Sequence, residues 1–322
     1  MRILIVKMTS LGDVVHMLPA LSEAAGRIAG LHADWVVEEG FAAVARLHPS
    51  VRRVIPAALR RWRHQLFKAA TWREIAAFRK ALRMEDYDLV LDSQGLIKSA
   101  MVACAAHGPR AGQDAGSARE PLASRTYQRC YPVPRNLHAI TRNRLLAARS
   151  LGYVMGAEAA FGYGVSTPQP PAGLALPDGF VLALHGTARP EKEYPEADWM
   201  RLIAGVERPV LMPWGNPRER ERAERLAGSS GYATVLPALD LLELAGVLGR
   251  AAAVVGVDTG LMHLAAAFRR PGVALYPSTP PVLYGVQPEP GAPDFINIAD
   301  PAGLRPENAG NMLKKVLSGD LH

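Results

Sequence analysis

Two doubly wound α/β domains are what this sequence predicts, and three observations carry the prediction. Short apolar or β-branched runs alternate with amphipathic helical patterns along the chain, the pattern of parallel strands joined by crossover helices. The alternation occurs twice, on either side of "GVSTPQPPAGLALPDG" (residues 164–179), a Pro- and Gly-rich stretch with no acid or base before Asp178. Such a stretch reads as an interdomain linker. The length, 322 residues, suits two domains of ordinary size. The expected organisation is residues 1–165, a linker over 166–179, and residues 180–322.

The first series of strands is expected at residues 3–7, 33–37, 51–56 and 89–92. Between them, residues 14–28 and 72–82 repeat apolar side chains at helical spacing. The second series falls at 180–185, 210–213, 233–236, 253–257 and 273–276, and a last helix is expected at 306–317. Neither series begins with the G-x-G-x-x-G turn of a dinucleotide fold. The first strand-to-helix turn, Met8-Thr9-Ser10-Leu11-Gly12-Asp13, has one glycine and ends on a carboxylate, where a phosphate cradle needs backbone amides and no negative charge.

Composition excludes several classes. Hydrophobic residues make up 49% of the chain, which argues against disorder. Two cysteines, Cys104 and Cys130, form neither a disulfide framework nor a metal-ligand pattern, as expected of a reducing compartment. The N-terminal apolar run is broken by Lys7 and lacks a small-residue cleavage site, so it is not expected to be a signal peptide. No stretch approaches the roughly 20 apolar residues of a membrane span; residues 241–257 carry Glu243 and Arg250. A soluble, cytoplasmic protein is expected. Net charge is +7, but residues 51–83 hold ten Lys/Arg against Glu74 alone, and the rest of the chain sums to −2. A local basic excess points to a polyanionic partner.

Several residues are candidates for chemistry. Asp13 sits where a carboxylate favours a helix N-terminus and completes a capping box with Ser10. At the carboxyl end of the first strand it would also face a ligand, as a general base. In "VVGVDTGLMHLAAAF" (254–268), a strand leads through Asp258-Thr259-Gly260 to a helix carrying His263. That helix start offers amides to an anion, and Asp258 offers a carboxylate to sugar hydroxyls. In "LALHGTARPEKEYPEADW" (182–199), Lys192 is either paired with neighbouring Glu191 and Glu193 or free, with Thr187, to clamp a diphosphate. Glu219 opens an Arg/Glu-rich helix that otherwise reads as a solvated face, and could accept ribose hydroxyls. "LRRWRHQLF" (59–67) interleaves arginine with Trp62 and His64, the composition of a basic surface for a membrane or nucleic acid.

Taken together, "MRILIVKMTSLGDVVHMLPAL", "DWVVEEGF", "RVIPAALRRWR", "DSQGLIKSA", "SAREPLAS", "PWGNP" and "VDTGLMHLAAA" resemble the ADP-heptose glycosyltransferase family (glycosyltransferase family 9). They occur in order over most of the chain. The resemblance implies a GT-B fold, two Rossmann-like domains facing across a cleft, the first for the acceptor and the second for ADP-heptose. It implies inverting transfer of L-glycero-D-manno-heptose to the 5-hydroxyl of Kdo in Kdo2-lipid A, in lipopolysaccharide inner-core biosynthesis. No metal and no cofactor are implied, and the site is the cytoplasmic face of the inner membrane, touched peripherally.

By position, the resemblance makes Asp13 the general base and gives Lys192 a catalytic role beside donor binding. Thr187, Ala188, Glu219, Leu239, Asp258, Thr259, Gly260 and His263 complete the donor site. Ser10, Gly12, Arg60, Arg61, Arg63, His64, Arg119 and His138 fall to the acceptor. Three positions depart from the family: Ala188 replaces a common Thr, His64 a common Lys and Leu239 a Met. The carboxylate in the first turn is then explained, because the first domain holds an acceptor to be deprotonated. "RRWR" and "AREPLAS" favour members that add the first heptose. A second-heptose or other ADP-sugar transferase is the alternative on the same fold. A non-catalytic anionic-lipid-binding protein is the alternative of another class, and no nucleic-acid partner is expected. The last helix is a candidate to pack back on the first domain, as GT-B enzymes often arrange.

Overall fold

A computed structural model describes residues 1–157, 160–187 and 189–320. The chain divides into two compact units, Met1–Val165 and Ser166–His322. Among the described residues no helix is long and apolar enough to cross a membrane.

The first unit has strands β1 (Arg2–Val6), β2 (His32–Glu38), β3 (Val51–Ala57), β4 (Leu89–Asp92), β5 (Arg110–Gln113) and β6 (Arg129–Tyr131). Its helices are α1 (Leu11–Arg27), α2 (Ala42–Ala45), α3 (Leu59–Trp62), α4 (Ala69–Leu82), α5 (Ile97–Ala105) and α6 (Ala139–Leu151). The strands form one parallel sheet in the order β3-β2-β1-β4-β5-β6. A parallel sheet is covered on both faces, which is why residues 3–6 of β1 are all buried rather than alternating. Leu4 and Val6 join Val36, Ile55, Phe78, Leu82 and Val90 in one core layer. Helices α1 and α6 pack together, joined by the buried pair of Arg144 with Glu23 at 2.8 Å.

The second unit repeats the plan with β7 (Val181–Leu184), β8 (Val210–Met212), β9 (Ala233–Val235), β10 (Ala253–Val257), β11 (Gly272–Leu275) and β12 (Phe295–Ile298). Its helices are α7 (Glu196–Val206), α8 (Pro217–Ala227), α9 (Leu241–Leu248), α10 (Gly260–Ala267) and α11 (Pro306–Ser318). The parallel order is β12-β11-β10-β7-β8-β9, the first sheet's order read in reverse. Trp199 of α7 is fully buried among Val181, Val210, Val255 and Leu313. The buried face of α11, Ala309, Leu313 and Val316, belongs to this same core. The last helix is thus anchored in the core of the second unit.

The sequence expectation missed three strands for physical reasons. β5 (RAGQ) and β6 (RCY) carry few apolar side chains and are held mainly by backbone pairing to β4 and to each other. β12 (FINI) is an edge strand between turn-rich segments. Helix α1 starts at Leu11, before its apolar pattern does, because Ser10 takes the N-cap position.

Candidate active site

In each sheet the strand order reverses once, between β1 and β4 and between β7 and β10. Ligands of doubly wound sheets bind beyond the carboxyl ends of the strands at that point. Among the described residues, the predicted site residues follow the carboxyl ends of the strands, several of them at these two places.

In the first unit, the turn after β1 carries Asp13 into the first turn of α1. Its Oδ2 accepts the backbone N–H of Ser10 at 2.8 Å, so the carboxylate does cap the helix. Its Oδ1 stands 3.9 Å from the Lys7 ammonium, too far for a hydrogen bond and near enough for charge to act. Lys7 is buried and donates to the Ser93 carbonyl at 2.9 Å. Burial, the largest influence, pushes its pKa below the usual lysine value; Asp13 works against that shift, and Arg142 and Arg119 work with it. Sequence reasoning noticed Lys7 only as the residue that breaks an apolar run. A charge at the end of a fully buried strand was the available signal.

The turn after β4 holds this arrangement in place. Gln94 accepts the backbone N–H groups of Met8 (2.9 Å) and Thr9 (3.2 Å) and donates to the Thr9 carbonyl at 2.7 Å. Asp92 beneath it is wholly buried, accepting Tyr127 Oη at 2.7 Å and the Gln94 amide at 2.9 Å. Burial pushes the Asp92 carboxyl up in pKa while these donors pull it down. Gly112 makes the Tyr127 contact possible, since a Cβ there would lie 2.3 Å from the tyrosine ring. Arg119 follows closely: its backbone nitrogen lies 3.4 Å from the position of a Gly95 Cβ, and Glu120 donates its N–H to the Gly95 carbonyl at 3.0 Å. His138 caps α6 through Nδ1 and sets its ring edge-on against His16 of α1, 5.5 Å between centroids. Ser10 is exposed and Gly12 buried.

The basic residues sit farther along the same carboxyl edge, after β3. Glu38 links the two places: its N–H donates to the Met8 carbonyl at 3.2 Å, and its Oε1 accepts the Arg60 backbone N–H at 2.9 Å. Arg60 stacks over Phe41, 5.7 Å from its centroid, and Arg63 Nε donates to His64 Nε2 at 3.0 Å. Arg61 is committed instead to Glu39 and Glu74, which hold its pKa above the usual arginine value. Arg52 and Arg53 are likewise spent, on Asp34, with Glu85 and Tyr87 in support. The positive excess of residues 51–83 is therefore smaller as a surface than as a count, and lies on Arg60, Arg63 and the residues after them.

In the second unit, Lys192 donates to Asp258 Oδ2, not to its neighbours in sequence. Glu193 is drawn away by Arg218 at 2.8 Å and Arg222 at 2.7 Å, which leaves Lys192 to turn toward the end of β10. Thr187 Oγ1 donates to the Asp258 carbonyl at 3.4 Å, and Thr279 Oγ1 donates to its Oδ2 at 3.2 Å. Thr279, in the turn-dense "YPSTPP", was missed because nothing in its local pattern separates it from a loop. Thr259 begins α10 without capping it by its side chain, and no acid lies in the first turn; His263 is buried on the same helix.

Glu219 is distinct from the solvated run around it. Its Oε2 accepts the Gly215 N–H at 2.7 Å, and it packs so tightly on Gly186 that a Cβ there would meet its Cδ at 2.8 Å. Arg220 pairs with Glu224 on the exposed face instead. Leu239 is half-buried and precedes Asp240, the N-cap of α9. Ala188 lies outside the described residues. Among the described residues no group of three or more His, Cys, Asp or Glu could hold a metal ion.

The two units offer different chemistry. The first offers a carboxylate with one oxygen spent on the backbone and the other facing the Lys7 ammonium. The second offers an ammonium, hydroxyl donors and an uncapped helix start, which suit a diphosphate. Residues 75–296 match the model of "Glycosyltransferase family 9 (heptosyltransferase)". Lipopolysaccharide heptosyltransferase 1 of Salmonella typhimurium is 46% identical over 289 residues, covering 88% of this chain and 91% of the relative. The structure of E. coli heptosyltransferase WaaC with ADP is 41% identical, with a TM-score of 0.88 over 99% of this chain and 100% of that one. WaaC with ADP-2-deoxy-2-fluoro heptose, also 41% identical, superposes with a TM-score of 0.84 over the same shares.

Proposed function

This chain belongs to glycosyltransferase family 9, the heptosyltransferases, and from that premise we propose its reaction in detail. It is a glycosyltransferase of lipopolysaccharide inner-core biosynthesis. Our reading is that it moves L-glycero-D-manno-heptose from ADP-heptose to the 5-hydroxyl of Kdo in Kdo2-lipid A, with inversion. The observation that carries it is the pairing of Lys192 with Asp258 at the strand reversal of the second unit, in a chain so similar to WaaC structures holding ADP and an ADP-heptose analogue.

On this reading the donor's diphosphate takes the Lys192 ammonium and the amides at the start of α10. Asp258 and Thr279 are then released to the heptose hydroxyls. Glu219 and Leu239 take the ribose and adenine, with Thr187, Thr259, Gly260 and His263 completing the donor site. Asp13 Oδ1 removes the proton from the acceptor hydroxyl as its oxygen attacks the anomeric carbon, and the C–O bond to ADP breaks with its electrons on the diphosphate. Lys192 meets the charge that develops there, the largest kind of term available to such a site. Lys7 presents its ammonium to Asp13 Oδ1 from 3.9 Å. Ser10, Gly12, Arg119 and His138 border the acceptor sugar, and Arg60, Arg63 and His64 meet its lipid phosphates. No metal takes part. The basic edge also brings the protein peripherally to the anionic inner-membrane surface.

The test is to incubate the protein with ADP-heptose and Kdo2-lipid A in detergent and weigh the product. Addition of one heptosyl residue to an acceptor lacking heptose, undiminished by a chelator, is the expected result. Reaction only with an already heptosylated acceptor would assign the chain to the second heptose step.

A further inference from the structure

We propose that the turn joining α3 to α4 is a membrane wedge: Leu66, Phe67 and Trp72 enter the interface of an anionic phospholipid bilayer while Lys68 and Arg73 meet its headgroups. The proposal rests on the peripheral membrane contact argued above and supplies the part that charge alone lacks.

Phe67 is fully exposed, Trp72 58% and Leu66 45% exposed. One exposed apolar side chain is unremarkable, but three large ones within seven residues form a patch. The backbone holds them outward. The Trp72 indole N–H donates to the Leu66 carbonyl at 2.8 Å, the Lys68 N–H to the Gln65 carbonyl at 3.0 Å, and the Thr71 N–H to the Lys68 carbonyl at 3.0 Å. The nearby core layer is already filled by Trp62, Phe78 and Leu82, with Trp62 and Phe78 packed edge to face. Phe67 therefore projects from a braced turn.

Charge complementarity identifies the occupant. Residues 59–73 contain Arg60, Arg61, Arg63, Lys68 and Arg73 and no acid. Among the described residues, Arg61 is the one of the five that is ion-paired. A tip of Phe, Leu and Trp ringed by unpaired cations matches the interface of an anionic bilayer, where apolar groups sit below the headgroups and tryptophan lies at their level. A neutral membrane or an apolar protein surface would leave the cations uncompensated.

Trp72 is the probe, because Trp35, Trp62 and Trp199 are buried and Trp214 is half-buried in the second unit. The native chain is mixed with vesicles of phosphatidylcholine, with and without phosphatidylglycerol, containing brominated lipid as a depth-sensitive quencher. Expected are association with the anionic vesicles alone and quenching that vanishes in Trp72→Phe. Phe67→Ser should lower the partition coefficient by about tenfold, and Lys68→Gln and Arg73→Gln by roughly fivefold each. Transfer to detergent-dispersed acceptor should be unchanged in Phe67→Ser. Association without quenching, and indifferent to Phe67→Ser, overturns the wedge and leaves an electrostatic contact. Quenching only when Kdo2-lipid A is in the vesicles also overturns it, assigning the patch to the acceptor's acyl chains. No association, or self-association through the patch, overturns the membrane contact too, while transfer in detergent still tests the reaction separately.

Discussion

At the scale of single residues, Lys7 is the most informative. Burying an ammonium costs several kcal/mol unless its charge and donors are used, and here the charge faces Asp13 while a donor goes to Ser93. On the reaction proposed above, Lys7 is a positioning residue for the base. Lys7→Met preserves volume and removes the charge. We expect it to lower kcat/KM by roughly 10–100-fold while leaving ADP-heptose affinity unchanged. An unchanged kcat/KM with only a lower melting temperature would make Lys7 a packing residue. Asp13 and Lys192 were both legible as residues from local pattern and resemblance. Their partners were not: Lys192 and Asp258 meet across 66 positions of sequence, and no periodicity encodes such a contact.

At the scale of elements, the buried strands were legible because a parallel sheet imposes continuous apolar runs, as in residues 3–6 and 253–257. Elements built by partners were not, as β5 shows: its tetrapeptide becomes a strand through β4, β6 and the Tyr127 ring laid over Gly112. Two joints between elements can be tested. Arg144 of α6, with no exposed surface, bonds Glu23 of α1 at 2.8 Å and the carbonyls of Ala157 and Ala160 at 3.1 and 3.0 Å. Arg144→Leu leaves Glu23 buried without its cation, so equilibrium unfolding in urea should show a loss of roughly 3–5 kcal/mol. Between β7 and α8, a methyl at Gly186 would displace the Glu219 side chain. Gly186→Ala should raise the KM for the donor while leaving that for the acceptor unchanged, a split that steady-state kinetics reads directly.

For the whole molecule, the same sheet plan is used twice, and each unit holds a buried histidine whose pKa burial lowers. His48 accepts the Ser50 N–H at 3.1 Å and bonds Ser22 at 2.8 Å; burial pushes its pKa down to about 4. His185 bonds the Pro213 carbonyl at 3.1 Å and is pushed down to about 4 by burial, with Arg222 nearby contributing. Unfolded, each imidazole titrates near 6.5. Above that pH both states are neutral and stability is fully present. As pH falls toward about 4 the unfolded chain binds protons that the folded one refuses, and stability is lost at up to about 1.4 kcal/mol per pH unit for each histidine. Urea midpoints measured between pH 7 and 4 should show this loss, and His48→Gln should weaken it for the first unit only. The charge pattern was legible as a sum but misleading as a surface, since Arg52, Arg53 and Arg61 are neutralised by carboxylates that sequence order does not place beside them.

We propose that a base on the first unit and a diphosphate clamp on the second serve one inverting displacement. ADP release from ADP-heptose, measured with and without Kdo2-lipid A for the native chain and Asp13→Asn, tests it most directly. Asparagine still accepts the Ser10 N–H, so the helix cap survives. Acceptor-dependent release should fall by roughly 10²–10⁴-fold in the folded variant, with donor binding intact. Undiminished, acceptor-dependent release by Asp13→Asn would contradict it and leave Asp13 as a helix cap alone.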